Sequence, residues 1–172
     1  MTEEPNINEE ARMKFADAGV CPLVPRGRGL AVKMNYPDGL SQYIPFVPFY
    51  EIECFDGMFA MLVTTNDVES VVMLRQKDTD ADVEIGPYYL DSSEERITVV
   101  SGRLTVYGPD GTREAVVDPG ENHISPPGKL RKLVFSSLND SPALAVVVWR
   151  PPLKEINIQT DVCGANREVV ES

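Results

Sequence analysis

Glu95, Arg131 and His123 are the residues of this chain whose types and placement suit chemistry. Glu95 opens the run Glu95-Arg-Ile-Thr-Val-Val-Ser-Gly102, and Arg131 stands inside Lys129-Leu-Arg-Lys-Leu-Val-Phe135; both runs alternate as strands do. With a side-chain period of two, Glu95 shares a face with Ile97 and Val99, and Arg131 shares one with Leu133 and Phe135. A carboxylate and a guanidinium set among apolar groups pair with each other or engage a ligand, because an isolated buried charge costs several kcal/mol. Two readings stay open. In one the two form a structural ion pair; in the other Arg131 forks onto a phosphate or carboxylate while Glu95 holds a hydroxyl or acts as general base. His123 is the single imidazole of the chain and the only side chain whose ordinary pKa lies near neutrality, so it is the candidate acid–base group. Its parity is opposite to that of Ile124, and the alternative to catalysis is a satisfied polar residue.

The elements that must hold these residues are short strands. Runs rich in β-branched and aromatic residues at 49–55, 59–65, 70–76, 83–89, 96–100, 104–107, 113–117, 130–136 and 143–149 are mostly bounded by turn residues, and Asp110-Gly111 between two of them marks a tight hairpin. So many short strands at this spacing predict an all-β sandwich or barrel. From Val20 to Pro48 the punctuation by Pro22, Pro25, Gly27, Gly29, Pro37, Gly39, Pro45 and Pro48 forbids long helices and predicts an extended arm or edge strands. A short peripheral helix is expected over 6–18, with Asn6 or Asn8 as its N-cap. The expected organisation is an arm over 1–48, one barrel domain over 49–153 and a tail over 154–172.

Composition excludes several classes. A net charge of −11 argues against a nucleic-acid binder, which needs a basic face. No apolar run approaches the roughly 20 residues of a membrane span, and the first residues are acidic rather than basic and then apolar, so a soluble cytoplasmic protein is expected. Cys21, Cys54 and Cys163 are odd in number and show no CxxC spacing, which predicts free thiols.

The segments Glu95 to Gly102 and Gly120-Glu-Asn-His-Ile-Ser-Pro-Pro-Gly128 resemble the two half-motifs of the cupin superfamily, over about residues 70 to 150. The resemblance implies an antiparallel β-barrel of the double-stranded β-helix or jelly-roll type, with Glu95 pointing inward. The histidines of a metal-binding cupin are missing. Their positions fall on Tyr89 and Asp91, or on Tyr88 and Leu90, and the last falls on Arg131, which has no lone pair to donate. No metal and no other cofactor is expected. Tyr88, Tyr89 and Asp91 become candidate ligand contacts, aromatic rings there being suited to stack on a planar group, and Phe135 and Trp149 join them as candidate lining or plain core.

Within the cupins, the segment 94–106 and the strand from Pro127 to Phe135 are similar to those of the small metal-free pyrimidine/purine nucleoside phosphorylases. That likeness implies phosphorolysis of a nucleoside, with Arg131 on phosphate, Glu95 on the ribose hydroxyls, and Tyr89 or His123 on the departing base. This chain departs from the family at Lys129-Leu130-Arg131 and in its long N-terminal part. The alternatives are a metal-free isomerase, epimerase or cyclase acting on a small metabolite, and a non-catalytic metabolite-binding or dimerisation module. The expected partners are a small-molecule ligand and a second copy of the chain, with the arm lying across a sheet edge.

Overall fold

The structure, a computed structural model, describes residues 29–48 and 50–159. Its strands are β1 (Leu30–Asn35), β2 (Ser41–Phe46), β3 (Ile52–Phe55), β4 (Met58–Thr65), β5 (Ser70–Gln76), β6 (Val83–Tyr89), β7 (Glu94–Ser101), β8 (Arg103–Tyr107), β9 (Arg113–Val117), β10 (Asn122–Ser125), β11 (Arg131–Ser136), β12 (Leu144–Arg150) and β13 (Glu155–Ile158). They make two sheets, a seven-stranded one in the order β2-β1-β13-β6-β11-β8-β9 and a six-stranded one in the order β10-β7-β12-β5-β4-β3. Every ladder is antiparallel except that of β1 with β13. The described residues are all-β, as expected, with their strands in two facing sheets. No helix long and apolar enough to cross a membrane occurs among the described residues.

Alternation builds the core. The inward residues of β12 (Ala145, Val147, Trp149), β7 (Ile97, Val99), β11 (Leu133, Phe135) and β8 (Leu104, Val106) are all buried between the sheets. The hairpin from β7 to β8 turns on Gly102, whose φ of +72° and whose approach to Ala143, 2.5 Å from where a Cβ would stand, leave room for no other residue. This is the glycine that closes the first half-motif.

Strands lie on both sides of the expected barrel limits of 49 and 153. β1 and β2 come from the stretch read as an arm and β13 from the stretch read as a tail. Leu30, Val32 and Met34 alternate into the core, but flanking Gly29, Pro37, Gly39 and Pro45 hid the pattern. Pro45 is tolerated because β2 is the sheet edge, where a missing N–H breaks no interior ladder. β2 also brings Phe46 to within 5.9 Å of Trp149, ring centre to ring centre, so this part of the N-terminal region completes the core. Cys54 is a free, buried thiol whose pKa burial pushes up to about 12, which leaves it inert at neutral pH. The helix expected over 6–18, Cys21 and Cys163 lie outside the described residues.

Candidate functional site

Two strand pairings assemble the polar end of the barrel. β7 lies between β12 and β10, with Glu95 opposite Trp149 on one side and opposite Ser125 on the other. In the facing sheet β11 pairs with β6 so that Arg131 stands opposite Tyr88. The register between those two strands shifts between Arg131 and Leu133: Leu133 faces Ile85, Arg131 faces Tyr88, and Gly86-Pro87 form the extra residue of a bulge. Gly86, at φ +97°, has no room for a Cβ beside the Tyr88 backbone at 2.8 Å. The bulge resets the alternation, and Tyr88 rather than Tyr89 turns inward.

Glu95 is thereby saturated. Its Oε1 accepts hydrogen bonds from the Tyr88 hydroxyl at 2.6 Å and from Arg131 Nη2 at 2.8 Å, and its Oε2 accepts one from the Trp149 indole N–H at 2.7 Å. Arg131 is 0% exposed and Glu95 3%. Arg131 also donates from Nη1 to the Lys129 carbonyl at 2.8 Å, and its guanidinium carbon lies 4.3 Å from the centre of the Tyr88 ring. Burial alone would raise the Glu95 pKa, but the Arg131 charge and the three donors outweigh it and hold the carboxyl below its usual range. Burial pushes the Tyr88 phenol well above its ordinary value despite the neighbouring Arg131. The Glu95 carboxylate is a poor base in this setting and Tyr88 a poor acid.

His123 and Ser125 sit on β10 and share the inward face, because they stand directly opposite the buried Ile97 and Glu95. Neither is satisfied by protein. Of the four buried side-chain polar atoms without a protein partner among the described residues, His123 Nε2, Ser125 Oγ and Arg131 Nε belong to this end of the barrel, and the fourth, Asn157 Nδ2, is on β13. His123 is half-buried; burial and the positive charge of Lys129 lower its pKa, against the opposing pull of Glu114 and Glu95. It is therefore neutral at pH 7, free to accept a proton at one ring nitrogen. Beside it Lys129 pairs with Glu114 of β9 at 2.7 Å. β9 and β10 are edge strands of their respective sheets, and no ladder joins them among the described residues.

The other candidates are scattered. Tyr89 is half-buried on the outward side of β6, opposite Asn157. Phe135 lies four residues along β11 from Arg131, buried in the apolar part of the core. Asp91 is exposed on a cleft of about 360 Å³ outside the barrel, which is lined also by Leu30, Lys33, Leu90 and Lys154. Ser125 was not singled out by sequence, since a serine before Pro126-Pro127 reads as a turn residue.

A metal of the kind bound by many cupins does not fit these residues. Both Glu95 oxygens already accept from protein donors, a cation occupies the last ligand position, and no three His, Cys, Asp or Glu side chains converge among the described residues.

No family model and no curated protein matches the chain. Solved structures do. The chain is similar to KdgF from Halomonas sp. with 18% identity and a TM-score of 0.45, over 55% of this chain and 79% of that one. It is similar to an RmlC-like cupin from Desulfovibrio desulfuricans with 15% identity and a TM-score of 0.45, over 56% and 84%. A sugar phosphate isomerase of the cupin superfamily from Silicibacter pomeroyi gives 20% identity and a TM-score of 0.45, over 58% and 62%.

Proposed function

We propose that the chain is a small-molecule-binding cupin that works without a metal and moves a proton on its ligand, as an isomerase, epimerase or cyclase does, with His123 as the acid–base group. The observation that carries this reading is the unpartnered, inward-facing Nε2 of His123, next on its strand to the unpartnered Ser125 Oγ. A neutral imidazole with a free nitrogen is suited to take a proton from carbon or oxygen and return it, and Ser125 and Arg131 Nε supply donors for a carbonyl or hydroxyl oxygen. The ligand approaches at the seam between β9 and β10, beside the Lys129–Glu114 pair. Glu95, Tyr88 and Trp149 position Arg131 and do not themselves transfer protons.

Nucleoside phosphorolysis has less support from this geometry. It needs an open guanidinium fork for phosphate, and Arg131 spends Nη1 on Lys129 and Nη2 on Glu95. The saturation of Glu95 favours one second reading, a binding module without turnover, in which the ion pair is purely structural.

Because His123 is the only histidine, its ring Cε1–H gives one resonance that reports directly on the site. Panels of small hydroxy- and oxo-metabolites titrated into the full chain are expected to include compounds that shift this resonance. In D₂O those compounds are expected to gain deuterium in the presence of the protein, but not in the presence of a folded His123→Asn variant. Exchange that survives His123→Asn removes the imidazole from the chemistry. Ligands that shift the resonance with no exchange anywhere in the panel leave the binding module, and base release from nucleosides only in the presence of inorganic phosphate restores phosphorolysis.

A further inference from the structure

Outside the barrel, one cleft gathers basic and acidic side chains that leave one another unpaired. β1 sends Val32 and Met34 inward and β13 sends Ile156, so Lys33 and Glu155 lie on the outer side of the seven-stranded sheet. The loop from Leu90 to Ser93, which joins β6 to β7, and the segment from Pro152 to Lys154, which joins β12 to β13, border the same space of about 360 Å³. That volume falls in the range of roughly 300–1,000 Å³ usual for small-ligand sites. Hydrogen bonds hold the walls. The Lys33 N–H donates to the Lys154 carbonyl at 2.9 Å, the Gly128 N–H to the Leu90 carbonyl at 2.7 Å, and the Ser93 hydroxyl to the Pro151 carbonyl at 2.8 Å. A site fixed in this way loses little further order when a ligand enters.

The lining is divided by chemistry. Leu30, Leu90 and Leu153 are buried and form an apolar floor, and Lys33, Lys154, Asp91 and Glu155 stand around it. None of these four makes an ion pair, although most basic side chains of the molecule do. Among the described residues the basic side chains without an ion pair are Lys33, Arg96, Arg113 and Lys154, so two of those four line this one cleft. Lys33 and Glu155 are direct neighbours across the β1–β13 ladder, where strands lie about 4.8 Å apart and side chains of opposite sign ordinarily meet.

We propose that this cleft is a second ligand site, separate from the barrel, and that it takes a small zwitterion: an α-amino acid with an apolar side chain. A plain anion would meet Asp91 and Glu155 as well as the lysines, and a plain cation would meet the lysines as well as the carboxyl groups. A molecule that carries an ammonium and a carboxylate engages both sets, and its apolar body covers the leucine floor. Asp91, which the sequence pointed to as a ligand contact, takes that role here and not inside the barrel. The site is independent of the chemistry at His123.

Isothermal titration of the full chain with L-leucine tests it, at low ionic strength, where recognition by charge is least screened. Saturable binding with a dissociation constant on the order of 0.1–1 mM is expected. 4-Methylpentanoate, which lacks the ammonium group, 3-methylbutylamine, which lacks the carboxylate, and glycine, which lacks the apolar body, are each expected to bind about tenfold more weakly or worse. Lys154→Glu and, separately, Asp91→Lys reverse an exposed charge at the rim and are expected to weaken L-leucine binding on the order of tenfold. Arg96→Glu reverses an exposed, unpaired cation on the other sheet and is expected to leave binding unchanged. No saturable heat up to about 10 mM L-leucine overturns the proposal. Equal affinity for 4-methylpentanoate overturns it in favour of a site for anions. Binding that neither reversal moves places L-leucine elsewhere on the chain, and a shift of the His123 resonance on titration then puts it in the barrel.

Discussion

β7 and β10 lie side by side in one sheet and treat their inward polar groups in opposite ways. On β7, Glu95 has a donor for each oxygen and a second one for Oε1, all at hydrogen-bond distances of 2.6 to 2.8 Å. On β10, Ser125 stands directly opposite Glu95 with its hydroxyl unpartnered, and His123 follows two residues before it with Nε2 unpartnered. Burial has different consequences for the two. At Glu95 it strengthens attraction to Arg131 and the charge is kept; at His123 it meets the Lys129 charge and the imidazole stays neutral. Closed networks hold a fold together, whereas buried groups left open cost stability and are tolerated where something else uses them. The difference fits the proposed function, in which β7 is structural and β10 carries the acid–base group.

The closed side is where the comparison breaks hardest. Arg131→Met leaves the Glu95 carboxylate buried with only Tyr88 and Trp149, and it is expected to cost roughly 3–5 kcal/mol, the usual penalty for removing one member of a buried pair. Adding Glu95→Gln removes the uncompensated charge, and the double variant is expected to recover most of that loss, because neutral groups of similar volume replace an ion pair at little net cost. Denaturant unfolding of the two variants reads both numbers. A single Arg131→Met variant that loses less than about 1 kcal/mol means Glu95 is not held as a charge, and the closed network is misread.

How much of this was legible beforehand depends on whether the information is local. The limits of β5, β6 and β9 agree to the residue with the runs read from sequence, because each alternating run is cut off by turn residues within its own neighbourhood. Glu95 and Arg131 were found from the likeness to the two half-motifs, with strand alternation then giving the apolar neighbours that share their faces. The choice between Tyr88 and Tyr89 was not local. Strict alternation from Ile85 points to Tyr89, and the bulge at Gly86-Pro87 moves the inward position to Tyr88. Trp149 reaches Glu95 only through a register linking residues 54 positions apart, and His123 turns inward only because it faces Ile97 across a ladder. Strands β1, β2 and β13 were obscured by prolines and glycines that a sheet edge and short strands accommodate.

The open side responds to pH. His123 has a folded pKa below its ordinary value near 6.5, so between that value and the folded pKa the unfolded chain binds a proton that the folded chain refuses. Stability is therefore fully present above about pH 6.5 and is expected to decline as pH falls through that window. The charged groups facing the imidazole are Lys129 and Arg131 on one hand and Glu114 and Glu95 on the other, and His123→Asn is expected to flatten this part of the melting-temperature profile. A profile identical in wild type and variant sinks the assignment of His123 as a partly buried neutral base.

The smallest effect sharpens the comparison most. Ser125 is 1% exposed with an unpartnered hydroxyl, so Ser125→Ala removes a desolvated polar atom and no hydrogen bond to protein. On structural grounds alone the change is expected to be neutral or to stabilise the fold by about 0.5–1 kcal/mol, whereas removing a partner from a satisfied buried pair costs about 1–3 kcal/mol. Calorimetry of the ligand-free variant gives the sign. A loss of 1 kcal/mol or more, about the worth of one hydrogen bond, means the Ser125 hydroxyl is already satisfied, and β10 would then be closed like β7. A gain in stability together with weaker binding of any ligand that moves the His123 resonance places Ser125 where stability has been given up for contact with that ligand.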